Sequence, residues 1–235
     1  MTTLNVLSGG AAHGLVASLA PTFKDLTGFD IAGEFGAVGT MADQLRRGTV
    51  ADIVILTAAI VGRLAEENRV VPASMSNIGL VETAIAVRAG DRLVTASDAA
   101  TLRAAFLGAD AIFVPDTKAS TAGIHVAKLL GQLGIADAVA ARLKIFGNGA
   151  TAMRHLAESE AVKPIGCTQS TEIIGTQGVS LSSSLPPGCD LATMYTAAVA
   201  TRAVAAREAQ LLIELMTAAD QGELRERAGF LGARR

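Results

Sequence analysis

Tryptophan is missing from this sequence and tyrosine occurs once, at Tyr195, so aromatic residues make up only 3% of the chain. A sugar or nucleobase site built on ring stacking is therefore poorly supported. The core must instead be packed from Ala, Val, Leu and Ile, with close backbone approaches at the 24 glycines. Cysteine is scarce as well. Cys167 and Cys189 have no metal-ligand spacing, and Pro186-Pro187-Gly188 lies between them. Reduced thiols are expected, with a disulfide as the alternative. The three histidines, His13, His125 and His155, stand far apart, so no metal site is expected. No G-x-x-x-x-G-K-[ST] loop, G-x-S-x-G elbow or H-E-x-x-H pair occurs. Gly147-Asn148-Gly149 lacks the third glycine of a dinucleotide fingerprint. No cofactor is expected.

Strong charge is also lacking. A formal net charge of -2 argues against a nucleic-acid footprint, and the basic tail Arg234-Arg235 is too short to alter that. No apolar run approaches the roughly 18 residues needed to cross a bilayer, so no membrane insertion is expected. The first residues enter a strand at once, with no basic region, apolar region or cleavage site of a secretory leader. The expected location is the cytoplasm, or the periplasm if a leader has been removed.

What is present is half hydrophobic and 18% charged, and at 235 residues it is long enough for one large domain or two small ones. Strand, glycine-rich turn and helix alternate three times at the start. Leu4–Leu7 leads through Ser8–His13 into a helix with Leu15, Leu19, Phe23 and Leu26 on one face, closed by Gly28. Phe29–Phe35 leads through Gly36–Thr40 into Met41–Arg47, and Asp52–Leu56 into Ala58–Glu67. This order predicts an α/β fold with a mostly parallel sheet. Ile78–Arg88 then reads as extended and Asp98–Leu107 as helix, with Ser97 or Asp98 as its cap. Strands follow at Ala111–Val114, Lys144–Phe146, Lys163–Thr168 and Tyr195–Val199. Helices fall at Val126–Leu133, Ala136–Leu143 and Thr151–Glu160. Gln169–Ile174 is loop or short helix, Val179–Leu185 is extended, and Arg207–Leu231 reads as helical with Leu211, Leu215 and Leu224 in the core. Two extended crossings, near 78–88 and 179–200, divide the chain into residues 1–82 plus 198–235 and residues 83–197. That division predicts two lobes on two hinge strands, with a ligand cleft between them.

Small-residue turns between strand and helix recur four times, at 8–12, 36–40, 119–123 and 147–151. A helix N-terminus leaves its first N–H groups unpaired and partly positive, which suits an anion, although Ser and Thr also cap helices for purely structural reasons. The stretch Asp116–His125 adds Lys118 and an imidazole to such a turn. Candidate ligand contacts in and beside these turns are therefore Ser8, Gly9, Gly10, His13, Val38, Gly39, Thr40, Lys118, Ser120, Thr121, Gly149 and Thr151. His125 and Glu172 are candidate proton carriers, because imidazole titrates near neutrality and a desolvated glutamate can be raised toward it. Structural readings stand beside these: His125 as a polar first-turn residue, Glu172 as a solvated loop charge, Lys118 as a solvated cation and Cys167 as core. His155 is read as surface.

Several segments resemble the periplasmic molybdate-binding proteins. Val6-Leu7-Ser8-Gly9-Gly10 with the helix ending Phe23-Lys24-Asp25-Leu26-Thr27-Gly28 is similar to their first segment. Phe35-Gly36-Ala37-Val38-Gly39-Thr40-Met41-Ala42 resembles their F-G-x-S-G-T-L-A turn, and Ala51-Asp52-Ile53-Val54-Ile55 their A-D-V-F-I strand. The likeness continues through Ala157-Glu158-Ser159 and Lys163-Pro164-Ile165-Gly166. It implies the type II periplasmic-binding fold, two α/β lobes joined by hinge strands. The family holds its oxyanion with serine hydroxyls at positions that align with Ala11 and Val38, and its binding tyrosine is replaced around Cys167-Thr168-Gln169, so the resemblance implies Thr168 and Gln169 as further candidate ligand contacts. Those departures argue against molybdate, since lost donors in a desolvated dianion site are costly.

The chain also resembles the aconitate isomerase-like members of that family. This likeness implies a cytosolic, cofactor-independent isomerase of a small unsaturated polycarboxylate, interconverting cis- and trans-aconitate by allylic proton transfer. The alternative is a binding protein for a small carboxylate or oxyanion, serving an ABC transporter or acting as a cytosolic sensor. Oligomeric state is left open.

Overall fold

The structure is a computed structural model describing residues 2–232; Met1 and the tail that includes Arg234-Arg235 lie outside the described residues. The chain opens with β1 (Thr3–Gly9), a single 3-10 turn and α1 (His13–Thr27). Leu15, Leu19 and Phe23 are buried at the spacing that makes one helix face. Leu26, on the same face by periodicity, is 61% exposed, because the last turn of α1 runs out past the core. Next come β2 (Asp30–Gly36), α2 (Val38–Arg46), β3 (Ile53–Thr57) and α3 (Ala58–Glu66). The long strand β4 (Ser76–Arg88) is followed by α4 (Ala99–Gly108), β5 (Ala111–Pro115), α5 (Thr121–Gln132) and α6 (Ala136–Val139). Then follow β6 (Leu143–Phe146), α7 (Gly149–Ala157), β7 (Pro164–Gln169), α8 (Ser170–Ile174) and β8 (Val179–Ser184). The chain closes with β9 (Ala192–Val199), α9 (Ala206–Thr217) and α10 (Gly222–Arg227).

The chain divides into two compact units, the first running up to Val81 and resuming at Thr193, the second covering Glu82–Ala192. The chain passes between them twice, within β4 and at the start of β9. In the first unit the strand order is β2-β1-β3-β9. Strand β1 runs parallel to β2 and β3, and β9 runs antiparallel to β3 with Thr57 opposite Tyr195. A buried carboxylate fastens this unit. Asp52 accepts from the backbone N–H groups of Asn5 at 2.8 Å, Val204 at 2.7 Å and Ala205 at 2.8 Å. The approach to α9, whose N-cap Ala205 makes no side-chain cap bond, is thus tied to the residue that precedes β3.

In the second unit the order is β4-β7-β5-β6, with β8 on the free edge of β4. Strands β6 and β7 run parallel to β5, while β7 and β8 run antiparallel to β4. The pleat of β5 sorts its side chains into two cores. Ile112 and Val114 join Leu102, Phe106 and Leu129 on one face. Ala111 and Phe113 join Met153 and Leu156 on the other. The sheets are parallel at their centres and gain antiparallel strands where the chain crosses between units.

Three differences from the sequence reading have plain causes. The C-terminal segment is not one helix: α9 stops at Thr217, a 3-10 turn spans Ala219–Gln221, and α10 resumes at Gly222. Arg225 donates to the carbonyls of Met216 at 2.9 Å and Ala218 at 2.7 Å, satisfying the break. The buried face of α9 is Ala209, Leu212, Ile213 and Met216, with Leu211 only half-buried and Leu215 and Leu224 at the core margin. Second, β9 begins at Ala192, three residues before its aromatic. Third, α6 is a single turn ending at Val139, because Arg142 turns back to the carbonyls of Leu107, Ala109 and Ala138.

Candidate functional site

Ligands of open α/β sheets bind at the carboxyl ends of parallel strands, where backbone N–H groups of the following helices point outward. In the first unit these ends lead into α1, α2 and α3. None has a side-chain cap: the N-cap residues are Ala12, Ala37 and Thr57, and no cap bond is made at any of them. The first-turn amides of Val38, Gly39 and Thr40 therefore have no capping side chain to accept from them. Val38 itself is buried, Gly39 half-buried and Thr40 exposed. Ser8 is fully buried, and its hydroxyl donates to the Gly9 carbonyl at 2.8 Å. Its hydrogen is thus turned into the chain and not toward a ligand. Gly9 is a point of close approach, since a Cβ there would meet Val38 Cγ1 at 2.7 Å and the Tyr195 ring at 3.0 Å. Gly10 starts the 3-10 turn. His13 is exposed at the first position of α1, its ring edge-on to Phe35 at 4.7 Å.

Thr57 and Tyr195 are not among the sequence candidates. Their signal is weak: Thr57 falls between a strand and a helix, and the single tyrosine reads as the start of a strand. Register places both at the carboxyl end of β3, buried, beside the turn that holds Gly9.

In the second unit the same edge carries α5, α7 and α8. Ser120 is the N-cap of α5 but makes no side-chain cap bond. Asp116 instead orders the approach, accepting from the N–H groups of Lys118 at 2.6 Å and Ala119 at 2.9 Å, and these bonds hold its carboxyl below the usual range. Lys118 is exposed and Thr121 half-buried at the first helical position. The His125 Nε2 lies 2.8 Å from the Cys189 carbonyl. A carbonyl only accepts, so Nε2 carries a proton and Nδ1 is the nitrogen left for exchange.

Helix α7 is different. Its N-cap Asn148 accepts from the Thr151 N–H at 2.8 Å, and the Thr151 hydroxyl accepts from Arg154 at 3.0 Å. The amides of Gly149 and Ala150 donate to the carboxyl of Glu172. The amides of Gly149 and Thr151, both expected as ligand contacts, are thus engaged within the chain, while the Thr151 hydroxyl keeps a hydrogen to donate. Glu172 also takes the Gln169 N–H and the Thr168 hydroxyl, the latter at 2.6 Å. The bond from the N-cap residue Gln169 to the third residue of α8 is half of a capping box, which explains why a glutamate stands there. Thr168 is fully buried and Gln169 nearly so. Glu172 is 7% exposed and is not the solvated loop charge that a polar sequence context suggests. Burial pushes its carboxyl above the ordinary range, and the bonds from Thr168, Gly149, Gln169 and Ala150 oppose that only in part.

Cys167 is fully buried with its thiol pushed up to about 12, which suits core packing and not a nucleophile; both cysteines are free. His155, read as surface, is exposed but stacks on Phe146 at 4.4 Å. Among the described residues no three His, Cys, Asp or Glu side chains gather as metal ligands. Among the described residues no single helix is long and apolar enough to cross a membrane.

Comparison with known proteins follows from this geometry. Residues 4–231 match the family described as bacterial extracellular solute-binding protein. The chain belongs to that family. Among solved structures, this solute-binding fold is shared with the periplasmic molybdate-binding protein of Azotobacter vinelandii at a TM-score of 0.80 and 17% identity, covering 98% of this chain and 100% of that one. The sulfate-binding protein of Mycobacterium tuberculosis superposes with a TM-score of 0.74 at 18% identity, over 99% of this chain and 88% of that one. Among characterised sequences, an aconitate isomerase from Pseudomonas sp. is 22% identical over 241 residues, covering 98% of this chain and 88% of its own. Ala11 and Val38 are both buried apolar side chains.

Proposed function

We propose that this solute-binding-family protein is an isomerase of a small unsaturated polycarboxylate such as aconitate. The observation that carries the reading is Glu172, an acid of raised proton affinity held at the carboxyl edge of a sheet by hydroxyl and amide donors. A passive oxyanion site needs donors only, whereas an allylic shift needs a group that takes up and returns a proton near neutrality. In the proposed reaction the substrate methylene loses a proton to a basic carboxylate or imidazole. The electron pair spreads over the allyl system and its carboxylate, and the same proton count is restored at the former vinyl carbon. One C–H bond breaks, one forms, and the double bond moves. In the same unit as Glu172, the α5 end, which has no side-chain cap, supplies N–H groups for a substrate carboxylate. Glu172 is assigned the transfer, with His125 Nδ1 as the second exchanging group. A cytoplasmic site of action accompanies this reading, and cell fractionation tests it separately.

The test is to incubate the protein with trans-aconitate and follow isomer composition by NMR. Turnover should fall by at least about 100-fold in Glu172→Gln, the usual scale for removing an acid–base group. Absence of turnover across several unsaturated tricarboxylates and dicarboxylates sinks the isomerase. A second reading, binding without turnover, is favoured by the family description and the molybdate- and sulfate-binding neighbours. A ligand that raises the melting temperature and is recovered unchanged would establish it.

A further inference from the structure

The amino edge of the second unit's sheet, opposite to the turns discussed above, holds an open-mouthed cavity of about 300 Å³. It is bounded by the end of α4, the approach to β7 and the turn that follows β4. Val87, Ala109 and Ile165 form a buried floor. At its lining Leu93 is 57% and Val162 80% exposed, so large apolar side chains stand in water around an apolar hollow. Single exposed valines are ordinary; two such residues around one concavity are a stronger sign.

The charges around it are sorted by sign. Asp91 is paired with Arg88 at 3.0 Å. Asp110 accepts from the N–H groups of Val162 at 2.9 Å and Lys163 at 3.0 Å. The acids are thus engaged, while Arg92 and Lys163, both exposed and both lining the cavity, stand outside the ion pairs among the described residues. An apolar hollow with a few convergent polar groups is the usual form of a small-ligand site, and this volume lies at the small end of that range. We infer that this cavity is a second ligand site, separate from the helix N-termini, for a small amphipathic anion whose apolar body enters between Leu93 and Val162 and whose carboxylate meets Arg92 and Lys163. The inference does not depend on the proposed isomerase activity.

Octanoate is a suitable probe, titrated into the full-length, isotope-labelled protein while backbone amide shifts are followed. Saturable shifts are expected at Val87, Val94, Gly108 and Ile165, with a dissociation constant on the order of 1 mM or tighter. Octan-1-ol should bind several-fold more weakly, and the surface variants Arg92→Glu and Lys163→Glu should weaken octanoate by about fivefold or more without weakening the alcohol. Ala105→Trp, which fills the hollow, should abolish both sets of shifts. The proposal is overturned by shifts that stay linear in ligand or by affinity indifferent to both charge reversals. Shifts of equal size at the exposed Leu26 of the first unit would also overturn it, since they mark adsorption to exposed apolar side chains.

Discussion

The carboxylate of Glu172 comes within 1.8 Å of where a methyl group on Gly149 would have to sit. The absent side chain is thus what lets a buried acid reach the first amides of α7. Gly149→Ala should displace Glu172 or push α7 off the sheet, at about 1–3 kcal/mol of stability by urea melting. A control is available in Gly62, around which an added Cβ meets nothing within 4 Å. There the same substitution in a helix should stabilise by about 0.5–1 kcal/mol. Equal effects at the two glycines would remove the special role given to Gly149.

Burial raises the Glu172 carboxyl, so the folded chain holds this proton more tightly than the unfolded one. Its contribution to stability is therefore complete below the ordinary glutamate range and is lost as pH rises through the raised value. Glu172→Gln cannot titrate. The stability of wild type minus that of the variant, followed by urea melts from about pH 4 to about pH 8, should decline with rising pH. A flat difference contradicts a raised carboxyl.

Asn148 and Ser120 occupy equivalent cap positions with opposite outcomes, one bonding its helix and the other not. Asn148→Ala should cost about 1 kcal/mol by thermal melting, and Ser120→Ala only a few tenths. Under the proposed function Ser120→Ala should instead weaken substrate, raising KM more than it lowers kcat. If Ser120→Ala is as destabilising as Asn148→Ala, the α5 end is capped in solution and unavailable.

Asp52 gathers three backbone N–H groups from two distant segments. Asp52→Ala should leave these groups without their acceptor, that of the buried Ala205 among them, and cost about 1–3 kcal/mol in denaturant melts. Asp52→Asn, which keeps one acceptor oxygen in place, should cost less.

Much of the fold is legible because its signals are local. Apolar runs at Ile53–Thr57 and Ala111–Pro115 mark buried strands, and the Leu15, Leu19, Phe23 spacing marks a helix face. The site is only half legible for the converse reason. Small-residue turns announce where helix N-termini lie, and nothing in their composition tells whether a distant side chain already fills them. Glu172 fills one such end from the helix that follows the next strand, and Asp52 holds the approach to α9 from across the unit. Tyr195 reaches Gly9 only through the β3–β9 register. Each is a long-range pairing, invisible to any window along the chain.

The first unit is assembled from both ends of the chain, and its Asp52 carboxylate meets its last partners only at Val204 and Ala205. The second unit is one uninterrupted segment. On the ribosome, therefore, Glu82–Ala192 can close while the opening 81 residues still wait for β9 and α9. A nascent chain arrested before Ala205 should show protease resistance in its middle and not at its beginning. That places the vulnerable interval of this protein's life in the sheet made first.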